Sequence, residues 1–345
     1  SLAAALLDSL FEHPARGQEY TEETKTVIKR ILFATDFSRW ARRAEDYACA
    51  LACSWKASLT VLCVAEFPPG LNPDYLVNQQ YLADLLKNES SQLVDFKGRA
   101  ELRGIAVTTR VATGIPSEEV ITVARAEDSD LIVVGTRGKT GLAHVLLGST
   151  AERVIRGAPC PVLTVRMEPA VIKEEEGALS KPVTLERILV PIDFSNCSLD
   201  ALGYAAVVAQ QAKASLMLLH VLEPVSYGLD FTLGQSKARR LEVETWTKRL
   251  EELVSSHQHP TMQVESQLRG GFPADSILDS AQTLPCDLIV MGTHGRRGIS
   301  HTISGSVAEA VLRKARCPVI TVRSPKLGPG SRQTIPEEDS PVLYT

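Results

Sequence analysis

The chain repeats itself at a fixed interval. ILFATDFS at 31–38 reappears as ILVPIDFS at 188–195, and GIPSEEVI (114–121) as GFPADSIL (271–278). DLIVVGTRG (130–138) returns as DLIVMGTHG (287–295), and APCPVLTVR (158–166) as ARCPVITVR (315–323). Asp36 and Asp193, Gly114 and Gly271, Gly135 and Gly292, and Cys160 and Cys317 are each 157 positions apart. A register that never drifts means one unit present twice with no net insertion, so the fold must be built from two copies of one domain. The expected division is a leader at 1–26, a first domain at 27–168, an acidic linker at 169–183, a second domain at 184–324 and a Pro/Gly-rich, disordered tail at 325–345.

Within each copy, strand and helix patterns alternate. In the first, KRILFAT is a short apolar run of buried-strand type, and helical spacing follows over 38–55 with Ser38 placed to cap it. SLTVLCVAE is a second strand, followed by a long helix over about 79–102; IAVTTRVA is a third strand, and PSEEVITVARA a helix with Pro116 and acids in its first turn. DLIVVG, GSTAERVIRGA and PVLTVR complete the copy as strand, helix and strand. Apolar strands alternating with helices predict an α/β class: two doubly wound, five-stranded parallel-sheet domains of Rossmann-like type in tandem.

Composition narrows the function. The 345 residues carry a net charge of −4 with scattered Lys and Arg, whereas nucleic-acid and anionic-membrane binding want a dense basic patch. No segment approaches the roughly 18 uninterrupted apolar residues of a membrane span, and SLAAALLDSLF is short and lacks a basic flank. The seven cysteines follow no disulfide spacing, and Cys49 and Cys53, one helical turn apart, read as small core residues; a cytoplasmic location is expected.

The chemistry-bearing pattern is glycine-rich. GKT at 138–140 is the tail of a P-loop, but the partner glycine would stand at Val133, and the second copy, GTHGRRG, loses the pair altogether. What recurs is G-x2-G-x9-G-[ST]: Gly135, Gly138, Gly148 and Ser149, then Gly292, Gly295, Gly305 and Ser306. The first two glycines end the fourth strand, where an open α/β sheet places its ligand crevice. The third opens a helix whose free N–H groups favour an anion such as phosphate. Asp36 and Asp193, ending the first strands, would face these glycines across the crevice and accept from a ribose or base. The alternative is purely architectural: glycines for tight turns, and Asp, Ser38 or Ser195 as helix caps.

With TDFS/IDFS and the closing APCPVLTVR, this spacing resembles the universal stress protein family in its tandem two-domain form, over roughly 28–166 and 185–323. The resemblance implies a five-stranded parallel sheet and, where the glycine motif is present, ATP binding. Carried onto this chain, Ala34, Thr35, Asp36 and Val64 would line the nucleoside end of the first site. Gly135, Arg137, Gly138, Gly148, Ser149 and Thr150 would hold its ribose and phosphates. The second copy would use Pro191, Ile192, Asp193, Val221, Gly292, His294, Gly295, Gly305, Ser306 and Val307. The first copy departs from the family pattern in having Ala34 where proline is frequent, and it has Cys63 where the second copy has His220. The family also implies pairing through the last strand, hence an intramolecular pseudo-dimer here, with a further homodimer left open.

The resulting expectation is a regulatory stress protein holding ATP, with or without Mg²⁺ on its phosphates, or else AMP or ADP, without efficient turnover and without dedicated metal ligands. No HExxH, GxSxG or other nucleophile–base motif is present. Two alternatives stand beside it: a slow ATPase or autophosphorylating enzyme using Ser149 or Ser306, and an interaction scaffold with empty or AMP-bound sites.

Overall fold

The computed structural model describes residues 27–66, 75–138, 147–167, 183–224, 233–294 and 305–323. The leader, most of the linker and the tail lie outside these residues, as does Gly295. In the first copy the elements are β1 (Arg30–Thr35), α1 (Arg42–Trp55), β2 (Ser58–Ala65), α2 (Leu76–Glu101), β3 (Val107–Thr113), α3 (Pro116–Ala126), β4 (Leu131–Gly135), α4 (Ser149–Gly157) and β5 (Val162–Val165). The second repeats them as β6 (Arg187–Pro191), α5 (Asn196–Ala212), β7 (Ser215–Leu222), α6 (Leu233–His257), β8 (Val264–Gly270), α7 (Pro273–Thr283), β9 (Leu288–Gly292), α8 (Ser306–Lys314) and β10 (Val319–Val322).

Each copy is a five-stranded parallel sheet, and the two join edge to edge. The strand order is β3-β2-β1-β4-β5-β10-β9-β6-β7-β8, one sheet of ten strands. Among the described strands, only the β5–β10 pair is antiparallel, with Val319 opposite Thr164, Ile320 opposite Leu163 and Thr321 opposite Val162. An unpaired fifth strand would be an exposed edge in either copy alone, and here each closes the other's. The central strands are mostly apolar because helices cover both faces: β4 and β5 are almost entirely buried. One core, with Phe33, Leu59, Leu131, Ile188 and Leu288, lies under α1, α2, α5 and α6. The other, with Leu32, Ile132, Ile155, Leu189 and Val311, lies under α3, α4, α7 and α8. Both cores run through the two copies without a break.

The seam obeys a pseudo-twofold. Thr164 Oγ1 donates to the carbonyl of Val319 at 3.0 Å, and Thr321 Oγ1 to that of Val162 at 3.4 Å. Behind the sheet, α1 meets α5. Tyr204 donates from α5 to the carbonyl of Asp130 at 3.2 Å, and burial pushes its phenol well above the usual range. At the N-terminal edge, the buried carboxylate of Asp130 accepts from the backbone N–H groups of Lys29 and Arg30, both at 2.9 Å. Asp287 does the same for Glu186 and Arg187 at 2.8 and 2.9 Å. These aspartates tie the start of the first strand to the fourth in each copy.

Three expectations need correction. The helix after β1 starts at Arg42, not Ser38: Phe37 is left-handed at φ 55°, the chain turns through 39–41, and Ser38 Oγ caps nothing. In the second copy Ser195 does cap α5, accepting from Ser198 N at 3.3 Å. The long helix of the first copy begins at Leu76, earlier than its apolar spacing indicated, because Tyr75 and Leu76 are exposed and lie off the packed stripe. Cys49 is buried and its thiol is pushed to about 12 by desolvation, but Cys53 is exposed on the same helix and donates to the carbonyl of Arg103 at 3.8 Å.

Replacing Asp130 by alanine strips two part-buried backbone donors of a charged acceptor. Urea unfolding should show a loss of about 3 kcal/mol, and a loss under about 1 kcal/mol would show that the N-terminal tie is not structural.

Candidate functional site

In each copy the first strand leads outward to β2 or β7 and the fourth inward to β5 or β10. The crevice therefore opens at the C-terminal ends of β1 and β4, and of β6 and β9. The expected site residues that are described stand at or near the C-terminal ends of these strands and of β2 and β7, or at the starts of α4 and α8. Ala34 and Thr35 end β1, and the Thr35 hydroxyl accepts from Phe37 N at 3.0 Å. Asp36 follows, and its Oδ1 accepts from Ser38 N at 3.0 Å, a short Asp-based turn that holds the carboxylate beside the chain. Its Oδ2 lies only 2.8 Å from where a Cβ on Gly138 would stand. The two motifs that the sequence separates by a hundred residues are thus in contact. Val64 sits at the end of β2 beside Ala112 of β3, facing the second core.

The glycine turn is tied by one residue that the sequence reading passed over. Thr136, directly after Gly135, donates its N–H to Val165 of β5 at 3.0 Å, and its carbonyl accepts from Gly148 N at 2.7 Å. Thr293 repeats both bonds with Val322 and Gly305, at 3.0 and 2.7 Å. One buried threonine therefore pins strand four, strand five and the start of the following helix together. Gly148 is the N-cap of α4 and Gly305 of α8. Their N–H groups are consumed by the threonine carbonyl, so the donors left at each helix start belong to the next turn. Those are the first N–H groups of Ser149 and Thr150, and of Ser306 and Val307, which an α-helix leaves without intrahelical partners. Ser149, Thr150 and Ser306 are exposed at the opening. The signal was available: GT stands in both copies.

The mouths differ in detail. In the first, Arg137 is 9% exposed and its guanidinium stacks 5.1 Å from the Trp40 ring, which Arg39 also approaches at 5.1 Å. In the second, Pro191 ends β6, and Ile192 is buried with its N–H on Leu219 O at 2.8 Å. Asp193 Oδ1 accepts from Ser195 N at 3.0 Å and from Ser195 Oγ at 2.6 Å. His220 replaces Cys63: its Nδ1 donates to the carbonyl of Ile192 at 2.6 Å, and its ring packs 5.2 Å from Phe194 and 4.7 Å from Trp246. Cys63 instead donates to buried Glu89 at 3.0 Å. Val221, the residue after His220 in β7, is partly buried against the core on the other face of the sheet. His294 Nδ1 lies 2.9 Å from Thr293 Oγ1, and partial burial, reinforced by the charge of Arg323, holds its imidazole below the usual 6.5. Phe194, like Phe37, is left-handed, at φ 62°. Both copies thus hold a bulky residue in a conformation that L-residues seldom adopt, directly after the aspartate. Among the described residues, no three metal-ligating side chains gather at either mouth.

Two outcomes follow from this geometry. A Cβ on Gly292 would stand 2.9 Å from the backbone carbonyl of Cys197, but on Gly135 it would meet its nearest neighbour at 3.3 Å. Gly292→Ala should therefore cost about 1–3 kcal/mol and Gly135→Ala less; equal losses in thermal unfolding would contradict the packing described. In an NMR titration the His294 imidazole should change charge below the ordinary histidine value, and Arg323→Gln should move the midpoint upward, because a repelling cation is removed. A midpoint unmoved by Arg323→Gln would refute the proximity of the two groups.

Comparison with known proteins places these features in a family. The model of the universal stress protein family matches residues 28–166 and again 184–323. A universal stress protein of Methanocaldococcus jannaschii is 36% identical over 143 residues, 41% of this chain and 84% of that protein. One from Mycobacterium tuberculosis is 29% identical over 294 residues, 83% of this chain and 91% of its own length. The crystal structure of a universal stress protein from Archaeoglobus fulgidus superposes with a TM-score of 0.62 at 22% identity, covering 85% of this chain and 98% of that one, a likeness of fold. A twice-matched family model, a tandem relative along most of the length and the repeated five-stranded sheet lead to one assignment: this chain belongs to the universal stress protein family, with two such domains in tandem.

Proposed function

We propose that the chain is a nucleotide-binding regulator of the stress response that holds ATP, or a related adenine nucleotide, in its two mouths without efficient turnover. The observation that carries this reading is the contact of Asp36 with Gly138 at the head of a helix-opening glycine turn. It sets an acceptor for ribose or base at one end of the mouth and a row of outward N–H donors at the other. The carboxylate would hold sugar or base and turn the phosphates toward the helix start by repulsion. Ser149, Thr150, Ser306 and Val307 would meet the phosphates through backbone N–H groups, and the hydroxyls of Ser149 and Ser306 add donors. In the first mouth Arg137, held against Trp40, adds a fixed cation. A Mg²⁺ ion would be carried on the phosphates. Binding without turnover fits an aspartate engaged with its own turn, since a hydrolase needs a group that positions the attacking water.

Incubation of the protein with labelled ATP, followed by separation of bound nucleotide, tests this directly. Retention of intact ATP is expected, together with a rise in melting temperature equivalent to about 2.7 kcal/mol at a hundredfold excess over Kd. Gly148→Val and Gly305→Val should each abolish binding at one mouth. Release of ADP, or transfer of label to Ser149 or Ser306, would instead make the chain a slow enzyme. No retention and no thermal shift would leave it a scaffold.

A further inference from the structure

The helices α4 and α8, which open at the two mouths, end differently from α1 and α5. The helices α1 and α5 close on left-handed lysines, Lys56 at φ 53° and Lys213 at φ 58°. Such residues fold the chain back so that its N–H groups satisfy the last carbonyls. The helices α4 and α8 run instead straight into extended residues, Ala158 and Ala315, whose N–H groups reach only Val154 and Val311. The carbonyls of the final turn then need outside donors. The copy across the seam supplies one in each case. Arg323, directly after β10, donates to the carbonyl of Arg156 in α4. Arg166, directly after β5, donates to the carbonyl of Arg313 in α8 at 2.9 Å. The two bonds are related by the same 157-residue offset that relates the copies, so they form one device used twice.

Each of these helices is nine residues long, too short to hold its own axis in water. Its direction is set by what grips its two ends. One end is pinned by Thr136 or Thr293, and the other receives an arginine from the opposite copy. A cation at a helix C-terminus also reinforces the dipole whose positive end faces an anion at the N-terminus. We propose that Arg166 and Arg323 are positioning residues for the bound anion: each holds, from one copy, the helix whose first turn forms the phosphate-facing wall of the other copy. Neither mouth is complete within its own domain. The pseudo-dimer is in this sense part of the binding site. Arg323 also stands near enough to His294 to disfavour its charged form, while its guanidinium bonds the helix of the other copy.

This inference rests on the nucleotide reading above, and the test separates the two. ATP binding to the full chain is measured by calorimetry in a Gly305→Val background, which leaves the first mouth, and in a Gly148→Val background, which leaves the second. Arg323→Gln should weaken ATP at the first mouth about fivefold and at the second less than about twofold. Arg323→Lys, which keeps charge and donor, should recover most of the loss. Arg166→Gln should show the mirror pattern, with the loss at the second mouth. An unchanged affinity at the first mouth, or an equal loss at both, would overturn the positioning role, the latter marking a general loosening of the seam. Should a valine background fail to fold by circular dichroism, the two binding constants of the unblocked chain are compared. One constant should then move with each arginine, and joint movement would overturn the proposal. A parent chain that binds no ATP would refute the nucleotide reading itself, and this inference with it.

Discussion

The antiparallel pairing of β5 with β10 is the interaction on which the rest of the architecture depends. A short, largely apolar strand at the edge of a sheet is a liability unless it is covered. Placing two such strands in one chain removes both edges with a single contact. The consequence reaches beyond the strands. Both cores become continuous across the copies, α1 meets α5, and the helices that open at the two mouths come within reach of the opposite copy's arginines. The outer strands β3 and β8 are left as the ends of the sheet, and both are only partly buried, with polar side chains along them.

What was legible in the sequence was whatever is encoded locally or by repetition. The 157-residue register, the apolar strands, the proline-headed helices α3 and α7 and the glycine spacing all follow from neighbours in the chain. Pairing of the fifth strands was expected from a family resemblance, and their apolar edges agree with it. The features that escaped depend on partners far away. Phe37 and Phe194 are bulky residues in left-handed backbone, which no propensity suggests, and in the first copy alone the helix then starts a turn later than its apolar pattern. Asp130 and Asp287 read as strand-leading polars until the N–H groups they accept, a hundred residues upstream, are seen. Thr136 and Thr293 carry two tertiary bonds each through backbone atoms, so no side-chain argument would select them.

Repetition also shows which parts of a site are fixed and which vary. Aspartate, glycine turn, threonine tie and helix start are the same in both copies. The support beneath them is not. His220, Phe194 and Trp246 form an aromatic stack under the second mouth, whereas Cys63 and buried Glu89 meet under the first. Arg137 on Trp40 stands where the second copy has His294, a permanent cation against an imidazole whose charged form partial burial disfavours. Two mouths of one backbone design thus present different electrostatics.

The central claim is that the backbone at the starts of α4 and α8 receives the phosphates. Amide ¹H–¹⁵N spectra recorded as ATP is added measure it residue by residue. The account predicts that the largest saturable shifts fall on Ser149, Thr150 and Ala151 and on Ser306, Val307 and Ala308, with smaller ones at Asp36 and Asp193. Shifts confined to surfaces away from these two helix starts, or none at saturating nucleotide, would contradict it.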